Sequence, residues 1–266
     1  MKAVLLAGRE HAEVGAVGEQ ALARVAVALS RGGAEKRYDH TDPNEDAALA
    51  AEGSRGVLVA VADGHWGQRA AEVALAHLRD AHLETWLDGA ERSSENWYQE
   101  VLHALVSVND AILASHTANE NPRTTLALAL ARPAEELLIT ASVGDSHLFV
   151  AGEQHVIERL SRQRQSKFLG HEPRKPSKLA RDVRIEVQPL GDARALLAVT
   201  DGLSERGIGV DDPCAAVKTA VASADAAPAS ARVSVAARAL VDAALAAHRE
   251  HDAGDNIAVA VAWLAR

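Results

Sequence analysis

The chain has 266 residues and only one cysteine, Cys214. A single cysteine excludes an intrachain disulfide and a zinc site built from several thiolates. Cys214 follows Asp-Asp-Pro, which reads as a helix start. Its plain reading is a small, half-buried helix residue; the sharper one is a reactive thiol. Aromatic residues are also scarce, at 3%. Alanine makes up roughly a fifth of the chain, so the core has to be built from Ala, Val and Leu. Positive charge is in deficit, with 28 Lys+Arg against 37 Asp+Glu and a net charge of −9. That balance argues against a nucleic-acid surface or an anionic membrane surface as partner. Long apolar runs are absent: segments 57–62 and 126–131 are far too short to span a bilayer. The apolar stretch after Lys2 is too short for a signal-peptide core. A cytoplasmic protein is the expectation.

What is present is ordinary globular material, 48% apolar and 24% charged, so wholesale disorder is excluded. The length fits one large domain or two small ones. No repeat and no Gly/Ser- or Pro-rich linker divides it, so one domain over 1–266 is expected. The nearest thing to a seam is 162–182, rich in Arg, Lys and Pro, which predicts an exposed, mobile segment.

Strand patterns cover 24–29, 47–51 and 56–62, the last unbroken enough to be buried on both faces. Segment 70–87 has helical spacing. Ser94 is placed to cap a second helix carrying Trp97, Val101, Leu105, Val108 and Ile112 on one stripe. Strand-like runs follow at 125–131, 137–143 and 146–151, with tight hairpins expected at Glu135-Glu136 and Gly144-Asp145. Further strands are expected at 183–187 and 194–200, helices at 215–222 and 230–248, and a closing strand at 257–264. Strands and helices are segregated, so the class is α+β with hairpin connections rather than alternating βαβ. No G-x-G-x-x-G, Walker A or G-x-S-x-G motif occurs.

One local pattern recurs: a carboxylate at the end of an apolar strand, next to Gly or Asn. It appears at Asp63-Gly64, Asp145, Asp201-Gly202 and Asp255-Asn256, with Asn44-Glu45-Asp46 just before another strand. Any one of these is an ordinary turn pair. Together, strand ends in a sheet bring them to one place. Clustered carboxylates repel and are costly to desolvate unless a cation joins them. An all-oxygen set favours Mg²⁺ or Mn²⁺ over Zn²⁺. Glycine after Asp63 leaves its backbone carbonyl open to close approach.

In chain order the motifs are Asn44-Glu45-Asp46, Val61-Ala62-Asp63-Gly64-His65-Trp66-Gly67, Thr124-Thr125-Leu126, Val143-Gly144-Asp145-Ser146, Thr200-Asp201-Gly202-Leu203 and Gly254-Asp255-Asn256-Ile257. This series, running over nearly the whole chain, resembles the metal-dependent protein phosphatases of the type 2C (PPM) family. The resemblance implies a β-sandwich of two antiparallel sheets flanked by helix pairs, a four-layer αββα arrangement with metals at one end. It implies that Asp63 bridges two Mn²⁺ or Mg²⁺ ions, that the Gly64 carbonyl binds one, and that Asp201 and Asp255 bind the other. Glu45 and Asp46 would ligate directly or through water. Asp145 matches an aspartate that helps hold a third ion in many bacterial members. Thr124 and Thr125 look structural.

The implied activity is serine/threonine phosphoprotein dephosphorylation. Two ions lower the pKa of a shared water and aim the hydroxide at phosphorus. His65, beside Asp63, is the candidate general acid for the leaving alkoxide. The expected partner is a phosphoprotein made by a Ser/Thr kinase, met by a monomer. A catalytically weak binding module of the same fold and a small-molecule phosphoesterase are the alternatives.

Two positions depart from the family. Thr41 stands where members carry an arginine that contacts the substrate phosphate; His40, Arg37 and Lys36 are the nearby bases. Trp66 replaces the glycine usual after the histidine, with packing on the following helix favoured over a role at the channel mouth. Segment 162–182 falls at the family's flap. Its bases Arg162, Arg164, Lys167, Arg174, Lys175 and Lys178 form either a solvated loop or a site recruiting acidic or phosphorylated segments. His77, His82, His103, His116, His155, His171, His248 and His251 are read as surface or helix-face residues.

Overall fold

The structure is a computed structural model that describes residues 1–117, 120–153, 155–158 and 167–264. Its first strands are β1 (Lys2–Ala7), β2 (Gly18–Ala21), β3 (Val25–Ser30), β4 (Ala47–Glu52), β5 (Val57–Ala62) and the short β6 (Gly64–His65). Helices α1 (Arg69–Ala81), α2 (Leu83–Asp88) and α3 (Ser94–Ala114) follow. Then come β7 (Arg123–Thr124), β8 (Leu126–Arg132), β9 (Leu137–Val143), β10 (His147–Ala151) and β11 (Val156–Glu158). The remainder is α4 (Pro176–Asp182), β12 (Arg184–Pro189), β13 (Ala195–Val199), α5 (Pro213–Ala226), α6 (Arg232–His251) and β14 (Ile257–Trp263).

One sheet has the order β1-β4-β5-β8-β9-β12 and the other β11-β10-β13-β14-β3-β2; the recorded pairs are antiparallel. The sheets stack because their central strands are apolar on both faces. In β4, Ala48 and Ala50 face the other sheet, while Ala47, Leu49 and Ala51 face the helices. In β14, Ala258, Ala260 and Ala262 fill the middle, and Ile257, Val259 and Val261 meet α5 and α6. Helices α1 to α4 cover the first sheet and α5 and α6 the second. This is the expected α+β sandwich in four layers, with alanine dominating its central layer.

Several local expectations change. Gly144-Asp145 is no hairpin: β9 belongs to the first sheet and β10 to the second, so the chain crosses the sandwich there. Gly144 makes the crossing at φ +94°. The hairpin at Glu135-Glu136 does form, between β8 and β9. Segment 70–87 breaks at His82, whose backbone leaves helical geometry. Ser93 rather than Ser94 caps α3, accepting a hydrogen bond from the Asn96 N–H at 3.2 Å. Residues Lys2–Ala7 form an edge strand, although their apolar run gave only an argument about targeting.

The described part of the expected mobile segment is anchored. Leu169 is fully buried and bridged to Thr124, and residues Pro176–Asp182 are helical. Arg162 and Arg164 lie outside the described residues. Lys167 and Arg174 both pair with Asp182, at 2.9 and 2.8 Å, and Lys178 pairs with Glu172 at 2.7 Å. Most described bases of that cluster are therefore already neutralised. No helix among the described residues is long and apolar enough to cross a membrane.

Candidate metal centre

The carboxylates come from both sheets, not one. Asp63 follows β5 and Asp145 follows β9 in the first sheet; Asp201 follows β13 and Asp255 precedes β14 in the second. Glu45 and Asp46 precede β4. All these ends open at the same end of the sandwich. One carboxylate oxygen each from Asp63, Asp145 and Asp201 lies within 4.8 Å of the other two. Asp46 and Asp255 are buried beside them. A cavity of about 500 Å³ opens on this group, lined among others by Lys36, Tyr38, Glu45, Asp63, His65, Trp66 and Asp201.

Small residues and amide bonds hold the motifs together. A side chain on Gly64 would stand 2.3 Å from the Glu45 carbonyl, and one on Gly202 1.9 Å from that of Asn256. Only glycine permits either approach. Asn256 is the central fastener. Its Oδ1 accepts the Glu45 N–H at 2.9 Å, and its Nδ2 donates to the carbonyls of Arg31 and Pro43 at 3.0 and 2.9 Å. The Thr124 hydroxyl donates to the Asp63 carbonyl at 2.8 Å, and Thr125 Oγ1 accepts the Asp63 N–H at 3.1 Å.

Electrostatics follow from this crowding. Burial, and then the Asp201 charge, hold the Asp63 carboxyl well above the usual range. Asp201 is raised by burial and by Asp255. Asp46 is pushed up to about 7, by burial first and then Asp255. Its Oδ2 is buried with no hydrogen-bond partner among the described residues. An orphan carboxylate oxygen beside three converging carboxylates is what a hard divalent cation satisfies, so the donor set fits Mn²⁺ or Mg²⁺.

Glu45 is more constrained. Its Oε1 accepts N–H groups from Gly67, Thr41 and Asp42, at 2.6, 3.3 and 3.4 Å, which leaves Oε2 facing the site. Asp255 accepts from Tyr38 Oη and from its neighbour's N–H. Burial and Asp255 keep the Tyr38 hydroxyl protonated, pushing it far up. His65 lies on the cavity wall with Nδ1 3.7 Å from Asp63, beyond hydrogen-bond reach. Burial lowers its pKa.

Of the bases near Thr41, Lys36 is the one whose ammonium sits among the acids. It stands 3.8 Å from both Glu45 Oε2 and Asp255 Oδ1 with its side chain 4% exposed. Arg37 pairs instead with Asp252 on the outside, and His40 lines the cavity. Trp66 does not pack on α1: it is 53% exposed, lines the cavity, and holds φ at +60°. That left-handed backbone explains why a glycine is usual there.

Two histidines were misjudged or passed over by sequence reasoning. His248 is fully buried rather than superficial. It donates from Nε2 to the Gly202 carbonyl at 2.7 Å and accepts the Gly33 N–H at 3.2 Å. His147 spans Glu158 and Ser204, at 2.5 Å each, and so ties β10 to the turn after Asp201. Nothing in a lone histidine on an amphipathic pattern signals such partners.

The molecule is thus a two-sheet sandwich with a cluster of carboxylates at one end. The chain belongs to the protein phosphatase 2C family, whose model matches residues 33–227. Solved structures share the fold. The catalytic domain of the serine/threonine protein phosphatase PstP, in complex with two manganese ions, is 21% identical with a TM-score of 0.62, covering 94% of this chain and 100% of that one. The PPM Ser-Thr phosphatase MsPP from Mycobacterium smegmatis, in complex with cacodylate, is 22% identical with a TM-score of 0.58, covering 95% and 99%. A bacterial serine phosphatase is 18% identical with a TM-score of 0.63, covering 91% and 97%. A search of curated proteins finds no match to the sequence.

Proposed function

We propose that this protein is a Mn²⁺/Mg²⁺-dependent serine/threonine phosphoprotein phosphatase. The observation that carries this reading is the group Asp63, Asp145 and Asp201, with oxygens within 4.8 Å of one another, of which Asp63 and Asp201 line a cavity walled by His65. Asp63, the Gly64 carbonyl, Asp145, Asp201 and Asp255 would hold two or three ions, with Glu45 contributing through Oε2 and Asp46 through its unpartnered Oδ2. Such ions supply Lewis acidity, which lowers the pKa of water and offsets phosphate charge. The chain's own part is to orient and to move protons. Asn256, Thr124 and Thr125 fix the backbone of the acidic turns, so the donors are preorganised. His65, on the cavity wall, is the general acid for the departing serine or threonine oxygen; burial lowers its pKa, so this role falls to its protonated fraction and weakens as pH rises. Tyr38 and Lys36 hold Asp255 in place. With this reading go one catalytic domain over 1–266, a flap over 162–182, a monomeric state, a cytoplasmic location and a phosphoprotein made by a Ser/Thr kinase as substrate.

One observation favours the weaker alternative. Lys36 already sets a positive charge between Glu45 and Asp255, where a second ion would otherwise be drawn. The same assay separates the readings. Hydrolysis of an aryl phosphate and of a phosphoserine peptide is measured with Mn²⁺, with chelator, and for Asp63→Asn. Metal-dependent turnover of both, reduced at least about a hundredfold by Asp63→Asn, is the expected result. Mn²⁺ binding without turnover would establish the binding module, and turnover of the aryl phosphate alone the small-molecule phosphoesterase.

A further inference from the structure

At the rim of the cavity, β6 and β7 pair so that His65 lies opposite Arg123. The Arg123 guanidinium stacks on the Trp66 ring, 3.7 Å from its centroid, and lies 5.6 Å from that of Phe168. Its Nη1 meets His171 Nδ1 at 3.3 Å, and its Nε is buried with no hydrogen-bond partner among the described residues. Among the described residues no carboxylate pairs with it, in a protein whose acids outnumber its bases 37 to 28. Trp66 is the cavity's exposed indole, held in a backbone conformation that a bulky side chain rarely adopts. Neither feature serves the core. Together they place a charged, planar hydrogen-bond donor and an aromatic face side by side at the cavity mouth, on the strand pair that carries His65.

We propose that Trp66 and Arg123 form a substrate subsite that selects phosphopeptides with an acidic side chain next to the phosphorylated residue. This rests on the phosphatase reading above. Arg123 is not among the residues lining the cavity, so the anion it meets is outside the phosphate position. With Nη1 on His171 and Nε buried, Nη2 is the donor left for a carboxylate, and the stack on Trp66 fixes its direction. Trp66 is a positioning residue for Arg123 and offers its face to the peptide backbone. A charge-assisted hydrogen bond from Nη2 to a carboxylate at a partly exposed rim gives about three- to tenfold in affinity.

The test uses the full chain with Mn²⁺ and fluorescent peptides carrying a phosphonate analogue of phosphoserine, so that binding is read without turnover. One peptide has Glu beside the phosphonate and its twin has Gln. The wild-type protein is expected to prefer the Glu peptide by about three- to tenfold. Arg123→Met, which keeps the stem and drops the charge, is expected to abolish the preference. Trp66→Ala is expected to reduce it, and Arg123→Lys to restore only part of it. Equal affinity of the wild type for both peptides, or a preference that survives Arg123→Met, overturns the subsite. Turnover is measured separately: an enzyme that turns over with no peptide preference loses the subsite alone, while a preference without turnover retains the subsite and sinks the phosphatase reading.

Discussion

His248 sits fully enclosed on α6, with both ring nitrogens engaged. Desolvation lowers its pKa below 6.5, so the folded chain keeps it neutral where the unfolded chain takes up a proton. Its contribution is therefore complete above about pH 6.5 and shrinks as acid is added, down to the folded-state pKa. Replacing it with Gln removes the titrating group and one of two hydrogen bonds. We expect His248→Gln to cost about 1 kcal/mol near pH 7.5, and the gap from wild type to narrow at pH 5.5. Urea unfolding of both proteins at the two pH values measures this. A gap that widens in acid would contradict the neutral assignment. Cys214 gives the opposite lesson. Burial and Glu158 raise its thiol pKa, so of its two sequence readings the structural one holds.

Turns rather than strands make the candidate site, and they are the elements most sensitive to a single atom. A Cβ at Gly202 would meet the Asn256 carbonyl at 1.9 Å, a backbone atom that cannot rotate away. Gly202→Ala is expected to part the Asp201 turn from Asp255, costing about 2–3 kcal/mol. It should also weaken Mn²⁺ binding at least about tenfold, by calorimetry. A stable variant with unchanged Mn²⁺ affinity would show that the two turns need not touch. The strands were legible because period-2 apolar patterns and turn pairs are local signals: β5, β8, β9 and β14 lie within a residue or so of their expected bounds. The acids Asp63, Asp145 and Asp201 were legible for the same reason, each standing at a strand end. Sheet membership was not. Gly144-Asp145 has the composition of a hairpin, and only the stacking of two sheets makes it a crossing. Packing of Trp66 on the following helix is the expectation favoured over the channel mouth; its 53% exposure goes with a left-handed backbone, φ +60°, that residue type does not signal. The partners of Asn256, Lys36 and His248 are set by segments distant in sequence, which no window of residues can show.

At the scale of the whole molecule, charge is unevenly distributed. Several acids are gathered in one cage, where burial and then acidic neighbours raise the Asp46, Asp63 and Asp201 carboxyls. Asp46, pushed up to about 7, is protonated below that pH in the metal-free protein, so a cation has to displace its proton. We expect the apparent Mn²⁺ affinity to fall as pH drops from 8 to 6, by up to about tenfold per pH unit for each linked proton. Titration calorimetry in two buffers of different ionisation enthalpy reads both the affinity and the protons released. A dissociation constant flat across this range would remove the linkage.

The hydrogen bond from the Glu45 N–H to Asn256 spans 211 residues, and β3 pairs with β14 across a similar distance. Such contacts are slow to form and come late in folding. A ribosome making this chain must release β14 before β3 has its second neighbour or Asp255 joins the cage. Until then the facing edges of β13 and β3 are both unpaired and the set of acids is incomplete. Manganese capture would thus serve as a stopwatch: added to a refolding reaction, it marks the moment when the two ends of the chain meet.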